Sequence, residues 1–150
     1  MTLSEADVEA ILDAWPVARL ATVSADGAPH LVPIVFARAD GVLWSPVDGK
    51  PKRGSALARI RNAAHEPRVA LLLDHYDVEW SRLWWVRVDG EASVVGADAA
   101  AEAALRAKYP QYQQVSLYAG APALVRIEPV RITTWRAADT PIELPPRPLG

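Results

Sequence analysis

Cysteine is absent from this sequence of 150 residues, and phenylalanine and methionine occur once each. The absence of cysteine excludes disulfides, thiolate nucleophiles and thiolate metal ligands, and it fits a reducing compartment. No apolar run approaches the ~20 residues needed to span a bilayer, and the segment after Met1 lacks the pattern of a secretion signal. We therefore expect a cytoplasmic protein with no membrane partner.

An excess of charge is also lacking, since the formal net charge is −2. Nucleic-acid binding usually needs a basic face across the whole domain, so we expect no nucleic-acid partner. The nucleophile elbow, the Walker loop, the dinucleotide glycine fingerprint and the His-Glu zinc motif are all missing. We accordingly name no catalytic side chain and no metal ligand. About half of the residues are apolar, which predicts one domain with a single core.

Short strands joined by tight turns dominate the pattern, with three helices between them. The predicted helices are Leu3 to Trp15, Ser55 to His65 and "ADAAAEAALRAKY". The predicted strands are "VARLATVS", "HLVPIVFAR", "VLWSPV", "RVALLLD", "LWWVRVDGEASVV" and "PALVRIEPVRITTW". Strands that follow one another in hairpins do not form a parallel sheet. The sequence therefore predicts a mainly β protein, a small antiparallel barrel with helices at its ends.

Glycine and proline predict several local details of these strands. The two "ADG" segments are typical of hairpin turns, and the first three strands are expected to form an antiparallel meander. Asp89-Gly90 is interpreted as a bulge in one long strand. Pro33 cannot donate a ladder hydrogen bond, which predicts an open edge or a bulge that a ligand could approach. The continuously apolar "RVALLLD" predicts a strand buried on both faces.

A basic cluster lies in "PVDGKPKRGSALARIRN", Pro46 to Asn62. Lys50, Lys52 and Arg53 precede a helix start whose N–H groups are unpaired, and together they could bind a phosphate. Solvated surface charge is the alternative interpretation. Arg59 and Arg61 lie roughly 200° apart around the helix axis, so both cannot face one ligand. We expect Ile60 to form a buried stripe with Leu57 and Ala64. Arg59 and Arg61 flank Ile60 and are expected to be surface or interface charges.

Six tryptophans accompany the single phenylalanine. Trp84 and Trp85 are adjacent in a strand and should point to opposite faces. Core and dimer packing is one use for such side chains. Stacking on a ring-shaped ligand is the alternative for Trp44 or Trp85. The loop Asp74 to Trp80, "DHYDVEW", is interpreted as solvated rather than metal-binding, or as a border of a substrate cavity.

Three segments together resemble a known family: "ARLATVSADGAPHLVPIVFA", "LWSPVDGKPKRGSALARIRNAAHEPRVALLLD" and "LWWVRVDGEASV". In order and spacing they are similar to the flavin and deazaflavin oxidoreductases that share the pyridoxamine 5'-phosphate oxidase-like, FMN-binding split β-barrel. The resemblance covers residues 4–136. It implies an antiparallel six-stranded barrel with peripheral α-helices over residues 1–136, followed by a proline-rich arm at 137–150. It also implies a homodimer with the cofactor in a groove between subunits.

The resemblance also implies which residues bind the cofactor. The phosphate would be held by basic residues after the third strand, and the backbone of the second strand would line the ring. The residues at the matching positions are Lys50, Lys52, Arg53, Ser45, Pro46, Val32, Pro33, Ile34, Trp85 and Arg87.

One difference from the family's pattern distinguishes two possible cofactors. FMN-binding relatives often carry Gln-Val-Arg in the fifth strand, where this sequence has Trp85-Val86-Arg87. Loss of the amide favours the branch that uses coenzyme F420, whose deazaflavin ring donates hydride while the protein binds and orients. The resemblance thus implies an F420-dependent oxidoreductase acting on an unidentified small molecule. The alternatives are an FMN-dependent oxidase or reductase of the same fold and a non-catalytic F420- or flavin-binding protein.

Overall fold

The computed structural model describes residues 1–48 and 55–146. Its helices and strands follow the sequence pattern closely, with one additional strand. The helices are α1 (Glu5–Ala14), α2 (Ser55–His65) and α3 (Ala99–Lys108), and short 3-10 helices lie at Trp80–Arg82 and Pro110–Gln113. The strands are β1 (Ala18–Val23), β2 (Pro29–Ile34), β3 (Ala37–Ala39), β4 (Val42–Pro46), β5 (Arg68–His75), β6 (Trp84–Val95) and β7 (Leu124–Arg136).

The described strands form one antiparallel sheet in the order β2-β1-β5-β6-β7-β4-β3. The predicted mainly β, antiparallel architecture is confirmed, with seven strands instead of six. The predicted meander is wrong. The second predicted strand breaks at Val35 and Phe36, so that β2 pairs with β1 while β3 pairs with β4. β4 then pairs with β7 instead of β2, which opens the sheet between β2 and β3.

Tight turns end the strands where the sequence indicates. Gly27 and Gly41 have positive φ angles of 84° and 73°, which glycine adopts without steric cost. The predicted bulge is confirmed, because the β6–β7 register shifts at Asp89 and Gly90. A Cβ atom at Gly90 would lie 2.8 Å from the carbonyl oxygen of Glu128, so only glycine allows the two strands to approach there.

Apolar side chains between the sheet and α1 form the main core, which includes Ile11, Leu20, Leu71 and Val88. A second cluster joins α3 to β3 and β4. Beyond β7, residues 137–146 contain neither helix nor strand, and the division into a domain and an arm stays a prediction. No helix in the described ranges is long and apolar enough to cross a bilayer.

The outer face of the sheet, which points away from the main core, is only partly covered. β5 alternates along its length, with Leu71 and Leu73 buried and Ala70 and Leu72 half-buried. The predicted burial of this strand on both faces is therefore wrong for a single chain. Trp84 is buried and Trp85 is half-buried, which confirms that they point to opposite faces.

Candidate functional site

A buried polar cluster lies where β4 ends and α2 runs past it. The hydroxyl of Tyr112 donates a hydrogen bond to Asp48 Oδ2 at 2.6 Å, and both residues are buried. Arg59 Nη2 donates to the carbonyl oxygen of Pro46 at 3.3 Å. Burial lowers the pKa of the Arg59 guanidinium, and the nearby Asp48 carboxylate opposes that shift. Asp48 thus offsets part of the cost of burying the cation.

Two polar atoms in this region lack a hydrogen-bond partner within the described ranges. They are Ser45 Oγ and Arg59 Nε, on side chains 1% and 8% exposed. A buried donor left unsatisfied costs about 1–3 kcal/mol. Such atoms are rare in native structures, and an unoccupied ligand position is one explanation for them. We call Ser45, Asp48, Arg59 and Tyr112 the polar cluster.

The burial of Arg59 within a single chain contradicts the prediction that it is a surface or interface charge. Asn62 and Ala63, three and four residues further along α2, are buried as well, and Asn62 donates a hydrogen bond to Thr22 Oγ1 at 3.1 Å. Ala64, predicted to be in the buried stripe, is exposed. The buried face of α2 is therefore rotated from the predicted one, and the spacing of Arg59, Asn62 and Ala63 is the signal that could have shown it. Arg61 is exposed, as predicted.

The basic residues Lys50, Lys52 and Arg53 lie outside the described residues. Residues 49–54 follow Asp48 directly in the chain and precede the start of α2 at Ser55. Both described ends of this segment therefore adjoin the polar cluster. Pro46, also predicted to bind the cofactor, ends β4 and is buried.

The β2 residues predicted to line the cofactor ring lie at an edge of the sheet. Within the described residues β2 pairs only with β1, which confirms the open edge predicted from Pro33. Val32 is half-buried, Pro33 is exposed and Ile34 is buried. Backbone N–H and C=O groups along an open edge are available to a ligand.

A buried tyrosine fixes the break between β2 and β3. The backbone N–H of Phe36 donates to Tyr109 Oη at 3.0 Å, and that oxygen lies 2.8 Å from the carbonyl oxygen of Pro16. Ala37 then pairs with Trp44, the residue before Ser45. These contacts therefore hold the end of β2 near the end of β4.

Trp85 and Arg87 lie elsewhere, on the outer face. Register partners place Pro33, Arg19, Leu72 and Arg87 in one row across β2, β1, β5 and β6. Three strand spacings separate the ends of this row, about 14 Å at ~4.8 Å each. Ser45 lies further from Arg87. It pairs with Val125 on β7, and Val125 in turn pairs with Val94 on β6. The seven residues from Arg87 to Val94 span about 23 Å of strand. Among the described residues, one chain therefore does not bring Arg87 together with Pro33 and Ser45.

A cavity of about 510 Å³ opens at the Trp85 end of the outer face. Its aromatic residues are His75, Tyr76, Trp84, Trp85 and Trp135, and the remaining ones are Leu72, Asp74, Leu83 and Arg87. We call this the aromatic cavity. Three of its members, Asp74, His75 and Tyr76, come from the segment Asp74 to Trp80, which supports the interpretation of that segment as a cavity border.

Comparisons with known proteins show the family. The family model described as pyridoxamine 5'-phosphate oxidase matches residues 4–136, and the chain belongs to this family. A comparison with curated proteins found no match.

Solved structures share the fold. A conserved hypothetical protein of Mycobacterium tuberculosis is 25% identical, with a TM-score of 0.73 over 91% of this chain and 87% of that chain. An FAD-binding protein of Mycobacterium smegmatis is also 25% identical, with a TM-score of 0.61 over 91% of this chain and 98% of that chain. A heme-binding protein of the same species is 18% identical, with a TM-score of 0.68 over 95% of this chain and 58% of that chain.

The described residues fit a phosphorylated ring cofactor of the kind this family implies. Ser45 Oγ and Arg59 Nε are buried donors without partners at the β4 end, and a phosphate oxygen accepts from such donors. The open edge of β2 offers backbone groups to the polar rim of a ring. The half-buried apolar outer face can cover the ring's flat surface.

Proposed function

We propose that this protein is an F420-dependent oxidoreductase that works as a homodimer and reduces a small molecule. The observation that carries the proposal is the pair of unpartnered buried donors, Ser45 Oγ and Arg59 Nε. In the sequence these residues flank the basic segment 49–54. Donors buried in this way favour a ligand with a compact anionic group, and a phosphodiester is such a group.

The separation of the predicted residues supports the homodimer. The ends of β2 and β4 lie together, whereas Arg87 lies across the sheet from Pro33 and well along β6 from the row of Ser45. In a twofold dimer the same two surfaces meet twice, so the second copy can supply Trp85 and Arg87 to the first copy's polar cluster. Ala70, a half-buried apolar residue of the outer face that does not line the aromatic cavity, would be covered in the same contact.

The cofactor supplies hydride transfer, and the protein's own residues bind, orient and exclude water. Lys50, Lys52 and Arg59 would neutralise the phosphate, and Ser45 would donate to it. Burial and the hydrogen bond to Asp48 both raise the pKa of the Tyr112 hydroxyl. Tyr112 therefore stays neutral and keeps donating this hydrogen bond to Asp48. The backbone of β2 would fix the ring edge.

A second function, FMN or FAD binding in the same groove, is favoured by the FAD-binding structural neighbour at 25% identity. The polar cluster fits the phosphate of either cofactor. Trp85 in place of a glutamine favours F420, because an indole ring cannot accept the hydrogen bonds that an amide accepts.

Titration of the purified protein with F420, FMN and FAD, followed by ligand fluorescence, tests the proposal. We expect F420 to bind most tightly, and reduced F420 to be oxidised when a suitable acceptor is added. Tight binding of FMN or FAD with no response to F420 would reverse the ranking, and binding without turnover over a broad acceptor panel would leave a cofactor-binding protein.

Charge reversal tests the predicted lysines, with Arg61 as the matched control. Lys50→Glu or Lys52→Glu should weaken cofactor binding by about 1.5–3 kcal/mol per lost charged hydrogen bond, with little change in folding. Arg61→Glu introduces the same change of charge at an exposed position on the other side of α2 and should leave affinity nearly unchanged. Equal losses at Lys52 and Arg61 would show that the effect is general electrostatics.

A further inference from the structure

The walls of the aromatic cavity are flat. Trp85 and Trp135 are register partners on neighbouring strands, so their side chains stand side by side on the outer face. His75 and Trp84 also line the cavity, but both rings pack against Trp15 at the main core, with centroid distances of 6.0 and 4.8 Å. Tyr76 is 73% exposed at the mouth. Aromatic faces favour a planar ligand, because offset stacking adds to the burial of apolar area.

The cavity lining includes one acidic residue, Asp74, and one arginine, Arg87. Asp74 pairs with Arg19 at 2.6 Å, and the lining residue His75 lies 3.4 Å from Asp77. Arg87 shares its partner Asp89 with Arg131, at 3.4 Å and 3.3 Å respectively. The Arg87 side chain is 42% exposed and lines the cavity, so it can pair with an anionic group on a ligand.

The cavity suits a compound other than the cofactor ring. Flavin and deazaflavin rings carry a dione edge that needs several hydrogen-bond partners. At the cavity the β5–β6 ladder runs without a break from Arg68 with Glu91 to His75 with Trp84, so its backbone groups are already paired. The open edge of β2 is the better position for a polar ring edge. The cavity then lies next to the ring, where it shares Trp85 and Arg87.

We propose that the aromatic cavity binds the molecule that the protein reduces, and that this molecule is a flat conjugated compound with an acidic group. The assignment of this ligand as the hydride acceptor rests on the proposed function, whereas its binding to the cavity does not. Trp135 selects for a planar shape and Arg87 for the negative charge.

Three probes separate these features in the protein without cofactor: 2-naphthoate, 2-naphthylmethanol and adamantane-1-carboxylate. Isothermal titration calorimetry should show 2-naphthoate binding about tenfold or more tightly than the neutral alcohol, the scale of one charged hydrogen bond. Adamantane-1-carboxylate carries the charge without the flat ring and should also bind at least several-fold more weakly. Equal affinities for the three probes would overturn the proposal.

Variants locate the binding site. Arg87→Gln should lower the affinity for 2-naphthoate to that for the alcohol, and Trp135→Leu should weaken both naphthalenes about three- to tenfold. Trp135→Phe keeps a flat ring and should retain most of the affinity, which separates stacking from misfolding. Trp80, 69% exposed and not part of the cavity lining, is the control, and Trp80→Leu should bind as the parent does. Identical binding by parent and Trp135→Leu would contradict the assignment.

Competition distinguishes the acceptor from the cofactor. With F420 or FMN bound, 2-naphthoate should still bind, because the two occupy neighbouring positions. Displacement of 2-naphthoate by the cofactor would mean that the cavity holds the ring and would overturn the acceptor site. If no flavin or deazaflavin binds while 2-naphthoate binds with the expected variant pattern, the proposed function fails and the cavity remains a site for flat anions.

Discussion

The polar cluster and the aromatic cavity differ in whether their charged side chains are buried or exposed. Around the polar cluster, Asp48 and Arg59 are 1% and 8% exposed. At the cavity, the charged Arg19 and Asp74 stay 46% and 35% exposed, and the buried surface is aromatic. Burying a charge costs free energy unless it is paired and hydrogen-bonded, whereas an exposed ion pair costs little and contributes little.

The difference indicates what each region can bind. A chain that keeps a guanidinium buried with an unpartnered Nε carries a cost that a bound anion would offset. Stacked aromatic walls with exposed charges at the rim instead accept a flat apolar body and leave its charged group near water. The first arrangement suits a phosphate and the second a conjugated ring.

Replacing Arg59 should have the largest effect. Arg59→Met removes a buried cation that the Asp48 carboxylate stabilises and that donates to the carbonyl oxygen of Pro46. It should lower the free energy of unfolding by about 3 kcal/mol, the low end of the range for removing one of two interacting buried charges. Cofactor affinity should fall as well. Urea denaturation measures the first effect and ligand titration the second. Arg59→Lys keeps the charge and should lose less stability. A Met variant as stable as the parent would show that the two regions do not differ as described.

Lys108 extends the comparison, because it is a half-buried lysine outside both regions. Its Nζ lies 3.7 Å from the centroid of the Phe36 ring and donates to the carbonyl oxygen of Leu12 at 3.1 Å. Burial lowers the pKa of Lys108 from 10.5 to about 7, and Asp13 opposes this shift. Between these values the unfolded chain binds more protons than the folded one, so stability should rise with pH in this window.

We expect this rise to be about 2 kcal/mol between about pH 7.5 and about pH 9, since each pKa unit corresponds to ~1.4 kcal/mol. Lys108→Met should abolish it, because methionine keeps the packing and has no charge to titrate. Urea denaturation across the pH range provides the measurement. A variant that keeps the full rise would assign the pH dependence to another group.

The exposed pair at the cavity rim should have the smallest effect. Arg19→Gln removes the 2.6 Å contact with Asp74 and should cost less than about 1 kcal/mol, because water screens both groups. High salt should reduce the difference between variant and parent. A loss above ~2 kcal/mol, insensitive to salt, would mean that this pair acts like the buried charges at the polar cluster.

Local features of the fold could be predicted from the sequence, because they depend on neighbouring residues. Gly27 and Gly41 allow tight hairpin turns because they adopt positive φ angles. The bulge at Asp89-Gly90 and the open edge at Pro33 likewise depend on the backbone of those residues. The Ser4 side chain accepts the N–H of Asp7 and caps the start of α1, which is another feature set by neighbouring residues.

Features that depend on distant parts of the chain could not be predicted. The pairing of β4 with β7 joins residues about eighty positions apart, and no local pattern selects it over a meander. The burial of Arg59 depends on Asp48 and on Tyr112 from the far side of α3. The aromatic cavity needs Trp135 of β7 beside Trp85 of β6, a pairing that only the register of long strands fixes.

A complementation experiment tests the central claim, that each site is assembled from two copies of the chain. One variant carries Lys50→Glu and Lys52→Glu, and the other carries Trp85→Ala and Arg87→Gln. Each alone should bind cofactor weakly. In a co-expressed mixture half of the dimers are mixed and each has one intact site of two, so about one quarter of the sites should regain parental affinity. Mixed dimers, verified by mass, that regain no tight site would contradict the account.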